Sequence, residues 1–298
     1  MRRKLKIGLA LGGGGARGFA HLGIIMALEE YGIPIDVITG TSMGAAVGAA
    51  KALGMDLGKL HSVLSLLNLN SLLGVSESTS HEIRRAIGRG VVEYMRGVDL
   101  EEETSLSERL SRLLALFSLF TAKKDFAATQ VPFAVVAADL ATGARVVLRE
   151  GPIYRAVAAS AAVPGIFPPV RIEGKYLIDG GVIEKIPIAA AIELGANAVI
   201  AVDAGAPMEK VRAQTSLDVM FQSQRITSHA LTALQVEEAR KRLSGRLVLL
   251  RPQVSGITML AFSKLSQAVK AGKEEVLARL PEISESCGVR PVSPDSKQ

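Results

Sequence analysis

Residues 6–18 read KIGLALGGGGARG and residues 36–44 read DVITGTSMG. Each stretch passes from a short apolar run into a Gly-rich turn. Lys6 to Leu11 reads as a buried strand, and after Gly18 the apolar residues Phe19, Leu22 and Met26 recur at helical spacing up to Glu30. Gly32 can cap that helix, and Pro34 blocks its continuation. Asp36 to Thr39 reads as a second short strand, Gly40 to Gly44 as a second sharp turn, and Ala45 to Leu53 as a helix of small residues. Strand, turn and helix thus repeat twice within about 50 residues, which predicts an α/β fold with a parallel sheet.

Working outward, residues 56–125 change character. Leu60 to Leu73 and Leu106 to Phe120 read as Leu-rich helices, Ser80 can cap a charged helix running to Met95, and an acidic run spans Asp99 to Glu103. No strand pattern appears there, so this stretch is expected to be a helical insertion over the sheet. In its last helix Leu110, Leu113, Leu114, Phe117 and Phe120 share a face, widened by Leu116 and Leu119 and flanked by Arg109, Arg112, Lys123 and Lys124. Two readings stay open: an interfacial helix that enters the acyl boundary of an anionic membrane, or a helix packed on the Leu60 to Leu73 helix. Strands return at Phe133 to Ala137, Arg145 to Leu148, Tyr176 to Ile178 and Ala198 to Val202, with helices at Pro152 to Ala162 and Pro187 to Leu194. Beyond Pro207 the chain reads as mainly helical apart from Arg246 to Leu250, with a frayed tail from Arg290 to Gln298. The expected organisation is one domain over 5–205, holding the 56–125 insertion, with a helical extension over 206–298 packed on it.

Composition narrows the function classes. Hydrophobic residues make up 48% of the 298, enough for a large core. The single Cys287 excludes a disulfide framework, and four scattered His argue against a His-built metal site. With no Trp and 4% aromatics, a base-stacking or sugar-stacking platform is not expected. The net charge of +6 suits an anionic surface, but an ordinary mildly basic protein is the stronger reading of charge alone. The basic start, Met1 to Lys6, is followed by only five apolar residues, too few for an export signal. No run of about 18 apolar residues occurs, so no spanning helix is expected. A cytoplasmic protein, with peripheral contact to the inner membrane surface as an option, is the resulting expectation.

The chemistry concentrates in three places. Gly40-x-Ser42-x-Gly44 puts a Ser on a strand-to-helix turn, which forces its side chain outward and sets it at a helix N-terminus. The structural alternative is a tight turn and nothing more. Gly13-x-Gly15-x-x-Gly18 suits a dinucleotide pyrophosphate, with Asp36 as the ribose acid, or an oxyanion built from backbone N–H groups. Asp36 begins the second strand, whereas a ribose acid belongs at its end. Both Gly-rich turns follow strands and would meet at one sheet edge, bringing Ser42 near Gly13, Gly14 and Gly15. A nucleophilic Ser needs a base. Of His21, His61, His81 and His229, only His229 follows Asp179, and it lies in a polar helical stretch where a surface His is expected. Asp179, ending a strand before Gly180 and Gly181, can act as base if the site is dry enough to raise its pKa, or can simply form an Asx turn. Arg17 could steer an anionic head group or cap a carbonyl.

Taken together and in order, these pieces resemble the patatin-like phospholipase family. Gly13-x-Gly15-x-x-Gly18 is similar to its oxyanion loop, Gly40-x-Ser42-x-Gly44 to its nucleophile elbow, and Asp179-Gly180-Gly181 to the motif carrying its dyad Asp. Ala159-Ser160-Ala161-Ala162-Val163-Pro164 with Phe167-Pro168, Ala137-Ala138-Asp139-Leu140 with Thr142-Gly143, and Leu249-Leu250-Arg251-Pro252 resemble further blocks of short bacterial members. The resemblance covers roughly 5–205. It implies a three-layer α/β/α fold and a Ser42–Asp179 dyad hydrolysing acyl esters of lipids. It implies Gly13, Gly14 and Gly15 as the oxyanion loop, Arg17 and Gly18 near substrate, and neither metal, cofactor nor nucleic acid. The 56–125 insertion departs from the pattern. A Rossmann-type nucleotide binder and a non-catalytic adaptor on the same scaffold are the competing readings.

Overall fold

The computed structural model describes residues 5–75, 103–205, 208 and 216–292. The eight strands described form one mixed sheet. β1 (Ile7–Leu11), β2 (Val37–Thr41), β3 (Phe133–Asp139), β7 (Ala198–Val202) and β8 (Leu247–Leu250) run parallel in the order β3-β2-β1-β7-β8. β4 (Arg145–Leu148), β5 (Val170–Ile172) and β6 (Lys175–Asp179) form an antiparallel margin beside β3. The central strands are buried at every position, and mostly apolar, because both faces are covered, as parallel sheets require; Thr39, Thr41 and Asp139 are the polar exceptions. In β7, Ala198, Ile200 and Val202 enter the larger core, while Val199 and Ala201 enter a second, smaller one. That alternation makes the fold a three-layer α/β/α sandwich.

On the larger face lie α1 (Ala20–Glu30), α2 (Met43–Ala52), α6 (Ile153–Ser160) and α9 (Leu265–Cys287). On the other face lie α7 (Ile188–Glu193) and α8 (Ser216–Arg242). The α1–α9 crossing is a close one. A Cβ on Gly23 would lie 1.9 Å from Val269 O, and one on Gly272 would lie 2.0 Å from Ala20 O, so the two backbones nearly touch.

The insertion contributes α3 (Leu57–Leu66), α4 (Leu69–Leu73) and α5 (Glu103–Phe120). The sequence predicts one helix over Leu60 to Leu73. The structure breaks it at Leu67-Asn68, where Asn68 Oδ1 accepts from Ser71 N–H and caps α4. α5 packs on α4 and α6, with Leu113 buried and Leu110, Leu114, Phe117 and Phe120 half-buried against the core. The inward-packing reading therefore accounts for that face, while Leu119 stays 79% exposed. The expected Ser80 to Met95 helix and most of the acidic run lie outside the described residues. β5 was not anticipated. The C-terminal segment is tied down further than expected, since Val292 N–H donates to Tyr31 O.

Candidate active site

Ser42 sits between β2 and α2 with φ 55° and ψ −124°, a conformation disfavoured for a residue with a side chain. Its neighbours explain how the turn closes. A Cβ on Gly40 would lie 2.4 Å from Ala45 Cα, and one on Gly44 would lie 2.1 Å from Leu11 O, so only glycine fits either position. The strained turn is held from outside. Ser42 N–H donates to Ser160 Oγ at 2.8 Å, and Ser160 Oγ donates to Val136 O at 2.5 Å. Ser160 is thus a positioning residue for the elbow. Sequence reasoning quotes it without giving it a role.

Asp179 reaches Ser42 by register. β6 runs antiparallel to β3, pairing Asp179 with Ala137, while β2 pairs Thr41 with Val136. The end of β6 therefore descends onto the level of the elbow. Asp179 is 6% exposed and Ser42 7%. Burial pushes the Asp179 carboxyl up to about 6, against hydrogen bonds from the Ser42 side chain and from Gly181 N–H, which pull it down. The Gly181 bond, 2.7 Å to Oδ1, is the Asx turn that the sequence offers as the bland alternative. Both features are present together, and the turn aims the carboxylate.

The Gly-rich loop lies beside them, with a Cβ on Gly13 falling 3.4 Å from Ser42 Cβ. Its donors are not equivalent. Gly13 N–H is committed to Lys185 O at 3.0 Å and Ala16 N–H to Met259 O at 2.8 Å. Gly14 and Gly15 N–H have no acceptor among the described residues. This narrows the expected trio of Gly13, Gly14 and Gly15 to the last two as available donors. His21 Nε2 meets Gly12 O at 2.7 Å, and burial lowers the imidazole to about 4, so a neutral ring donates to the loop. Arg17 Nη1 donates to Ile257 O, the carbonyl-capping role, while the residue also lines the cleft. Gly18 does not face the cleft. It lies buried under Met43, whose side chain a Cβ would meet at 2.6 Å. Gly180 is fixed by close approach, since a Cβ there would lie 2.2 Å from Val136 O.

Ser42, Asp179, Gly14 and Gly15 open onto a cleft of about 630 Å³ whose further wall carries Lys185, Arg225 and His229. His229 is therefore half-buried on the cleft wall, where the sequence predicts a surface position. On its other side Ser42 lines an apolar pocket of about 60 Å³, with Phe117, Ile166, Phe167 and Leu260. The nucleophile candidate stands at the border between polar and apolar space. Asp36, the ribose acid of the competing reading, instead accepts from Ile7 N–H at the other end of β1. That place does not suit a ribose acid. Among the described residues no group of His, Cys, Asp and Glu could hold a metal, and no helix is long and apolar enough to cross a membrane.

The chain is 28% identical over 321 aligned residues to the lysophospholipase NTE1 of Candida glabrata, covering 97% of the chain and 17% of that protein. It is 31% identical to the lysophospholipase NTE1 of Mycosarcoma maydis, covering 67% of the chain and 10% of that protein. An uncharacterized NTE family protein of Mycobacterium bovis is 32% identical, covering 66% of the chain and 48% of that protein. The chain thus spans between a tenth and a half of these relatives. Among solved structures, VipD from Legionella pneumophila aligns over 94% of the chain and 67% of its own at 17% identity and TM-score 0.47. The model of patatin-like phospholipases matches residues 9–192, which include the elbow, the Gly-rich loop and Asp179, and the chain belongs to that family.

Proposed function

We propose that the protein is a lipid acyl hydrolase working through a Ser42–Asp179 dyad. The observation that carries the reading is the buried carboxyl of Asp179 on the wall of the same cleft as Ser42, itself buried on a strained elbow. Asp179 takes the hydroxyl proton as Ser42 Oγ attacks the ester carbonyl. The oxyanion that forms is met by Gly14 and Gly15 N–H, and Asp179 returns the proton to the leaving alcohol. Water, deprotonated by Asp179, then attacks the acyl-enzyme; the acyl–Oγ bond breaks as Asp179 gives that proton to Ser42 Oγ, and the fatty acid is released. The relatives named as lysophospholipases support a phospholipid monoester of fatty acid as substrate, its head group in the cleft beside Lys185 and Arg225. The test is turnover of a soluble short-chain ester and labelling by a fluorophosphonate. Ser42→Ala is expected to abolish both. Asp179→Asn is expected to abolish turnover, with the double variant little worse than either single change, because dyad members act as one unit. His229→Ala should keep more than about a tenth of turnover. Loss of activity in His229→Ala with activity retained in Asp179→Asn would overturn the assignment.

A further inference from the structure

A run of glycines does not hold its own shape. Residues Gly12 to Gly15 each have wide backbone freedom, yet an oxyanion site needs donors fixed in advance. The order is imposed from outside. Gly12 N–H donates to Val202 O at 3.0 Å, Gly13 N–H to Lys185 O at 3.0 Å and Ala16 N–H to Met259 O at 2.8 Å. One side chain joins these backbone partners, since His21 Nε2, at the start of α1, meets Gly12 O at 2.7 Å.

The Gly12 carbonyl stands where the loop meets the elbow. A Cβ on Gly44 would lie 2.8 Å from Gly12 O, so this oxygen is wedged between the His21 ring and the first turn of α2. The peptide between Gly12 and Gly13 is thus held at both ends, by His21 on its carbonyl and by Lys185 O on its N–H. The next two N–H groups along the chain are those of Gly14 and Gly15, which line the cleft beside Ser42.

Packing alone does not account for a histidine here. His21 is fully buried, and its Nδ1 has no partner among the described residues. A carbonyl only accepts, so Nε2 carries the hydrogen and Nδ1 of the neutral ring is a bare acceptor. An acceptor buried without a partner is unfavourable, and an apolar side chain of similar size would avoid that cost. What the imidazole supplies in return is one donor aimed at Gly12 O.

We propose that His21 is a positioning residue for ester hydrolysis. By holding the Gly12 carbonyl against the elbow, it fixes the loop so that Gly14 and Gly15 N–H meet the oxyanion formed at Ser42. His21 touches neither the substrate nor the proton in transit and acts through the backbone. The inference rests on the hydrolase reading and assigns to it a residue that the dyad does not include.

Two variants and one spectrum test it. His21→Met removes the donor, and His21→Gln offers one at similar reach. On a soluble short-chain ester, His21→Met should lower kcat about 100-fold with KM within about threefold, because a shift of about 1 Å in reacting geometry costs that much. His21→Gln should recover about tenfold of the loss. Inhibition by an alkyl trifluoromethyl ketone, whose Ser42 adduct carries an oxyanion, should weaken in proportion to kcat/KM. Unchanged kcat in folded His21→Met, equal losses in both variants, or a loss of kcat without matching loss of inhibitor affinity each overturns the positioning role. The spectrum needs no variant and decides should neither fold. With 15N-labelled histidine, the wild-type His21 ring should be the Nε2–H tautomer at neutral pH, and the Nδ1–H tautomer overturns the proposal. A wild type that cleaves no ester overturns the hydrolase reading and this role with it. An active wild type matched by His21→Met overturns this role alone.

Discussion

At the scale of single residues, the proposed dyad would make Asp179 tie stability to activity with opposite signs. Its carboxyl is held near 6 against an ordinary 3.8 because burial disfavours the ionised form. The protonated form's contribution to stability is complete below pH 3.8 and is lost as pH rises through about 6. On the proposed mechanism turnover needs the ionised form, so it should climb with a midpoint near pH 6, read from a pH–rate profile of kcat/KM. Asp179→Asn removes the burden of a buried charge while keeping an acceptor for Gly181 N–H. At pH 8 that variant should be inactive yet more stable than the wild type, by up to ~3 kcal/mol, in denaturant melts. A melt showing it less stable would contradict the burial argument. Ser160→Ala makes the reverse case. It leaves the Ser42 N–H without its partner in a dry site, which should lower stability by about 1–3 kcal/mol. It should also cut kcat more than it raises KM, while Ser160→Thr, which keeps the hydroxyl, recovers part of the loss. Ser42 and Gly44 were legible because a strained elbow has a local sequence signature. Ser160 was not, because its partner Ser42 is 118 residues away.

At the scale of elements, local chemistry explains both what could be read and what was missed. The two Gly-rich turns follow apolar runs, so β1, α1, β2 and α2 stand out from sequence alone. β5 is three residues long, too short for an alternating pattern, although Glu173 and Gly174, both with positive φ, mark the two-residue turn that joins it to β6. The break between α3 and α4 had a signal in Asn68, hidden by the Leu residues around it. The reversed direction of β6 had no signal, since strand orientation is set by partners distant in sequence. The α1–α9 crossing yields a prediction at this scale. Gly272→Val must force backbones apart that lie within van der Waals contact, so it should lower stability by about 2–3 kcal/mol in thermal or denaturant unfolding. Gly245→Ala, where no atom lies within 4 Å of the added Cβ but φ is positive, should be felt less.

Across the whole molecule, the site draws on widely separated parts of the chain: a loop after β1, an elbow after β2, the end of β6, and the segment around Met259 that accepts from Ala16 N–H. All the chemistry proposed is carried by side-chain and backbone groups of this chain. Ester hydrolysis is therefore expected to survive EDTA and to need neither calcium nor nucleotide. Loss with chelator, restored by a divalent metal, would contradict it.

The docking of residues 247–287 on the first strand–helix unit also sets the order in which a ribosome can finish the site. β8 covers the edge of β7, α9 lies across α1, and Met259 O and Ile257 O hold the Gly-rich loop. A nascent chain that has already exposed Ser42 and Asp179 still lacks the groups that hold the Gly-rich loop. On the proposed function, hydrolytic competence should then switch on only once α9 has cleared the exit tunnel, so nascent chains stalled before it would not release free fatty acid.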